Sequence, residues 1–161
     1  MDTTLGPTRS PLLIGRDDLL ELADRRLDDV EVGKGQLLLV AGEAGIGKTR
    51  FLDAIWQKAD ERGFIGTGGW VAPQDHDVPA ASILDMGRSM LRMPVFEALG
   101  RELLALGDHV IEADYVRRRR QLVMDVVDQI VAALPEKTLI LFEDLQWTDD
   151  LSLEIIAELA R

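Results

Sequence analysis

The residues best suited to chemistry are Gly42-Glu43-Ala44-Gly45-Ile46-Gly47-Lys48-Thr49. They fit G-x-x-x-x-G-K-[ST], a phosphate-binding loop. Glycines at 42, 45 and 47 let the backbone turn so that successive N–H groups converge on an anion. A helix starting at Lys48 would add the partial positive charge of its N-terminus. In such a loop the lysine, here Lys48, reaches the β- and γ-phosphates, and the hydroxyl, here Thr49, holds Mg²⁺. The bland alternative is a glycine-rich turn that binds nothing. An apolar run before the loop and an amphipathic stretch after it favour phosphate.

A second group lies far downstream. Leu139-Ile140-Leu141-Phe142 ends in Glu143-Asp144. Hydrolysis of a phosphoanhydride needs a carboxylate on the metal side and a base that orients water. Two adjacent acids at the end of an apolar strand supply both types. Glu143 stands at the metal-side position and Asp144 at that of the base. Aspartate is the commoner metal-side residue, so the order leaves the two roles exchangeable.

The elements that must position these groups follow from periodicity. Leu37 to Ala41 reads as a buried parallel strand leading into the loop. Before it, Leu19, Leu20, Ala23, Leu27 and Val30 recur at helical spacing, with Asp17 as N-cap. After the loop, Phe51, Leu52, Ile55, Trp56 and Ala59 mark one face of a helix that stops at Gly63. Phe64 to Val71 reads as a second strand weakened by Gly66, Gly68 and Gly69. Two short helices span about 81–111, separated by Pro94. A long helix runs from about Glu112 to Leu134. Thr138 to Phe142 is another buried strand, and Asp149 or Asp150 caps the last helix. Ligands sit at the C-terminal edge of such strands. The fold class is α/β: a three-layer α/β/α arrangement on a parallel sheet. Residues 1–11 read as a flexible lead-in, 12–161 as the domain, and about 78–134 as a helical insertion.

Composition narrows the classes. The chain has 161 residues, 47% hydrophobic and 29% charged, which suits one globular core rather than disorder. The net charge is −11, against a general nucleic-acid-binding surface. It does not oppose nucleotide binding, which uses backbone dipoles and one lysine. Without cysteine there is no disulfide framework, thiolate metal site or thiol nucleophile. No leader-like apolar region opens the chain and no run reaches membrane-spanning length, so a cytoplasmic protein with no membrane partner is expected.

Three blocks, LLIGRDDLLELADRRL, GEAGIGKTRF and LILFEDLQWTDDLSLEIIAELAR, together resemble the signal-transduction (STAND-type) ATPases of the AAA+-like group. The look is nearest to the ATP-binding domain of large LuxR-type transcriptional regulators. The resemblance covers about Leu12 to Arg161 and is loose over 74–134. It implies ATP and Mg²⁺ as ligands, held by Gly42 to Arg50, with Lys48, Glu143 and Asp144 as the catalytic group and Thr49 and the two acids on the metal. It places Leu13, Ile14, Gly15 and Arg16 at the adenine, where apolar side chains would cover the ring. It implies a regulatory ATP switch acting on transcription, with DNA reached only beyond residue 161. Gln146 stands where the group often has His, and Phe51 where it has Leu. The group also places a further strand, contributed from beyond the Glu143-Asp144 pair, between the loop strand and the acidic strand. The sheet is therefore expected to be incomplete, as in the N-terminal portion of an ATPase module. Leu37–Ala41 and Leu139–Phe142 should be unbridged, and their open edges invite self-association. Two other readings are a small-molecule P-loop kinase and a non-hydrolysing, nucleotide-dependent interaction module.

Other features are read as structural. Arg117 to Arg120 balance a very acidic surface. His76 and His109 lack ligand spacing. Trp147 reads as a packing anchor.

Overall fold

The computed structural model describes residues 15–110 and 115–161, the side chains of 108–110 and 115–117 excepted. The order is α1 (Asp17–Glu31), α2 (Lys48–Glu61), β1 (Ile65–Gly69), α3 (Ala81–Met90), α4 (Glu97–Val110), α5 (Tyr115–Ala133), β2 (Thr138–Phe142) and α6 (Asp150–Leu159), with short 3₁₀ turns at Pro73–Asp75 and Leu145–Trp147. β1 and β2 pair in parallel, Ile65 opposite Thr138 and Gly69 opposite Phe142. The connection through three helices is the crossover that a parallel pair requires.

Side-chain alternation assigns the two faces of the pair. Ile65, Ile140 and Phe142 pack on a cluster built by α3–α6, including Ile83, Met86, Leu103, Ile130 and Ile155, with Phe96 from the turn ahead of α4. Leu139 points the other way, onto Phe51, Ile55 and Ala59 of α2 and Ala23 and Leu27 of α1. The layers are therefore α/β/α, as expected. α1 and α2 are also clamped by charge. Lys58 and Arg62 both reach Asp24, and Arg62 also meets Asp28 at 2.6 Å. The hydrogen bond to Asp28 raises the Arg62 pKa above its ordinary value.

Several expectations need correction. Leu37–Ala41 belongs to no sheet, because no described strand runs beside it. Leu38 and Val40 pack against Ala23, Phe51 and Ile55, but Leu37 and Leu39 on the alternate side are 52% and 70% exposed. It keeps a strand's two-residue period without a ladder, and it is not bridged to β2, as the resemblance implied. Asp17 is the first residue of α1 rather than its cap; Arg16 holds the cap position, with no side-chain capping bond. The glycines of β1 are more than a weakness. A Cβ at Gly69 would stand 2.1 Å from the Ser82 carbonyl oxygen, and one at Gly66 would stand 2.3 Å from the Trp56 indole. Their absent side chains let α3 and Trp56 lie directly on the strand. Trp147 is 40% exposed and so anchors little. Arg119 does more than balance charge: it pairs with Glu154 and ties α5 to α6. His76 lies beside Asp77 just after the first 3₁₀ turn. Residues 1–14, Glu112 and the side chains of His109 and Arg117 lie outside the described residues.

Candidate functional site: a glycine-rich loop joined to an acidic strand end

The loop is exposed from Gly42 to Ile46 and enters α2 through the half-buried Gly47. Gly45 (φ +78) and Gly47 (φ +92) both take left-handed backbone, which glycine reaches without a Cβ penalty. Gly47 is the N-cap of α2, so no side chain caps the helix, and its first turn carries no acid. The leading N–H groups and the positive end of the dipole are therefore left for an external anion.

The Lys48 ammonium folds back over the loop. Its Nζ donates to the carbonyls of Gly42 at 2.9 Å and Glu43 at 3.0 Å. These are the interactions an incoming phosphate would replace. Arg16 donates to the Ile46 carbonyl, so the segment ahead of α1 reaches the loop. Leu13 and Ile14, expected at the adenine, are outside the described residues. Gly15 is exposed with φ +76. Arg50 is half-buried in the first turn of α2.

The two halves of the site meet. Thr49 Oγ1 donates to Glu143 Oε2 at 2.9 Å across 94 residues of chain. A hydroxyl and a carboxylate at this separation are hard oxygen donors suited to Mg²⁺. Among the described residues no group of three or more His, Asp or Glu side chains could hold a metal alone. An ion here would take its remaining ligands from phosphate and water, as Mg²⁺ generally does. Asp144 turns away from this bond. Its backbone is left-handed (φ 55), and its carboxylate accepts from Trp70 Nε1 at 3.3 Å and Gln146 Nε2 at 3.1 Å. Gln146 thus holds an acid.

Trp70 and Asp85 went unread in the sequence. Asp85 accepts the Trp70 backbone N–H at 2.9 Å. Both line a cavity of about 360 Å³ with Trp56, Arg88, Arg92 and Glu143. The cavity adjoins Glu143, not the loop. Only a tryptophan directly after a strand bearing three glycines could have drawn attention there. Among the described residues no helix is long and apolar enough to cross a membrane.

No curated protein and no solved structure matches the chain. The family model described as AAA ATPase domain matches residues 12–161, which include the loop, Thr49 and both carboxylates. With that coverage, and with a phosphate loop set against an acidic strand end in a parallel α/β fold, the chain belongs to the AAA ATPase domain family and is a nucleotide-binding domain.

Proposed function

We propose that this domain binds ATP·Mg²⁺ as a regulatory switch controlling transcription, with slow hydrolysis in the complete protein. Loop amides from Gly42 to Thr49 receive the phosphates, and Lys48 leaves its own loop carbonyls to reach the β- and γ-oxygens. Thr49 and Glu143 take the metal, and Asp144 serves as the base that orients water. Leu13, Ile14, Gly15 and Arg16 lie at the adenine. DNA is reached only through regions beyond residue 161, in a cytoplasmic setting. Binding orders the loop, and hydrolysis releases it.

One observation carries this reading: the 2.9 Å bond between Thr49 and Glu143, which joins the phosphate loop to the acidic strand. It favours Glu143 as the metal-side acid. Lys48→Ala should lose ATP affinity by roughly thirtyfold or more in calorimetry, equivalent to about 2 kcal/mol. Unchanged affinity refutes the reading. Asp144→Asn should keep affinity and stop turnover in the intact protein; unchanged turnover would remove Asp144 from the role of base.

A further inference from the structure

Trp70 follows β1 directly and is 53% exposed, too open for packing alone to fix its ring. Two hydrogen bonds orient it instead. Its backbone N–H is held by Asp85 of α3 at 2.9 Å, and its indole N–H donates to Asp144 Oδ2 at 3.3 Å. The ring borders the 360 Å³ cavity, so it has room to swing once either bond is lost. At the far end of this chain, Asp144 occupies left-handed backbone that non-glycine residues seldom adopt. Such a conformation persists only when neighbours over-determine it. The Trp70 and Gln146 donors, one on each carboxylate oxygen, do so here.

The other end is anchored as well. Asp149 accepts the N–H groups of Ala80 and Ala81 at the start of α3. Ser82 and Thr148 share a buried hydrogen bond of 3.1 Å. Arg88, one turn beyond Asp85 on α3, lies 3.7 Å from it. Helix α3 therefore grips the 144–149 loop twice, at its start through Asp149 and at its middle through Asp85 and Trp70.

We propose that Asp85 and Trp70 are positioning residues that aim the Asp144 carboxylate, making α3 a mechanical part of the site. The catalytic consequence rests on the ATP reading above; the geometry does not. A shift of α3 would reach Asp144 through one backbone and one indole N–H without touching the phosphate loop.

The test has two arms. In the first, the indole N–H signals of the three tryptophans are recorded by NMR, and Trp70→Phe identifies the signal of Trp70. Asp144→Ala should move that signal and speed its exchange with solvent. Asp85→Ala should do the same, although Asp85 bonds the backbone of Trp70 and not its ring. Asp85→Asn, which keeps an acceptor oxygen, should restore the native signal. A Trp70 signal indifferent to Asp144→Ala overturns the proposal. In the second arm, ATP affinity and turnover are measured on the intact protein. Trp70→Phe should hold affinity within about twofold and cut turnover about tenfold, the pattern of a residue acting after binding. Asp85→Ala should match it, and the double variant should lose little more, as members of one relay are non-additive. Native turnover in Trp70→Phe, with Lys48→Ala unable to bind ATP, overturns the proposal and leaves the nucleotide reading intact. Wild-type protein that fails to bind ATP overturns the nucleotide reading instead, and the catalytic half of the proposal with it.

Discussion

Removing the Asp149 carboxylate should cost far more than losing one helix cap. Oδ1 accepts from Leu151 and Ser152 at 3.1 and 3.0 Å, which caps α6. The same oxygen accepts from Ala80 at 2.8 Å, and Oδ2 accepts from Ala81 at 3.0 Å. One side chain, 7% exposed, thus satisfies N–H groups at the start of two helices. An N-cap lost to alanine costs about 0.5–2 kcal/mol. Donors stranded inside cost about 1–3 kcal/mol each, less where water can reach them. Ala80 is 0% exposed and left-handed at φ 62, so water reaches it poorly and its backbone depends on this bond. Together these give about 3–5 kcal/mol for Asp149→Ala. For a domain of this size that is a fall in Tm of roughly 6–20 °C. Asp149→Ser separates the two roles. A serine hydroxyl can cap α6 but is too short to reach Ala80 and Ala81, so it should recover only about 1 kcal/mol. Urea unfolding of the three proteins, compared at equal m-value, measures both differences. A loss below about 1 kcal/mol for Asp149→Ala, or full stability for Asp149→Ser, would refute the idea that this carboxylate joins two helices.

Gly69→Ala should destabilise by about 1–3 kcal/mol, because the new methyl group meets the Ser82 backbone and cannot be relieved by a rotamer change. Gly35→Ala, with nothing within 4 Å, is the matched control and should lie within about 0.5 kcal/mol of wild type in the same titration. Leu39→Lys should lower concentration-dependent association in sedimentation or light scattering, since Leu39 is 70% exposed on an unpaired extended segment. Its unfolding midpoint should stay near wild type, and unchanged association would clear this edge of responsibility.

Local patterns were legible where local geometry decides the outcome. The turn through Gly45 and Gly47 needs those residue types, so the loop could be read letter by letter. The left-handed stop at Gly63 and a cap at Asp149 or Asp150 were visible for the same reason. Periodicity over-read Leu37–Ala41 as a buried, paired strand. Five apolar residues in a row announce burial, yet a strand is defined by the neighbour it pairs with, and periodicity says nothing about that neighbour. The glycines of β1 misled in the opposite direction. In sequence they weaken a strand, but in space they open the surface on which Trp56 and α3 rest.

Side chains that orient other side chains left the weakest trace. The sequence narrowed the cap of α6 to Asp149 or Asp150, and the structure assigns it to Asp149, but the grip of Asp149 on Ala80 and Ala81 spans 69 and 68 residues and follows no spacing rule. Asp85 and Trp70 are equally silent. The residues expected to touch phosphate or metal are constrained by the ligand's own chemistry, which is why their types repeat as a motif. Residues that aim them are constrained only by this particular packing, so many residue types could do the same work elsewhere. In this domain α3 brings that second kind of constraint to the 144–149 loop. Thr49 and Glu143 can meet through α2 and β2 alone, whereas the orientation of Asp144 depends on a helix that contributes no ligand of its own.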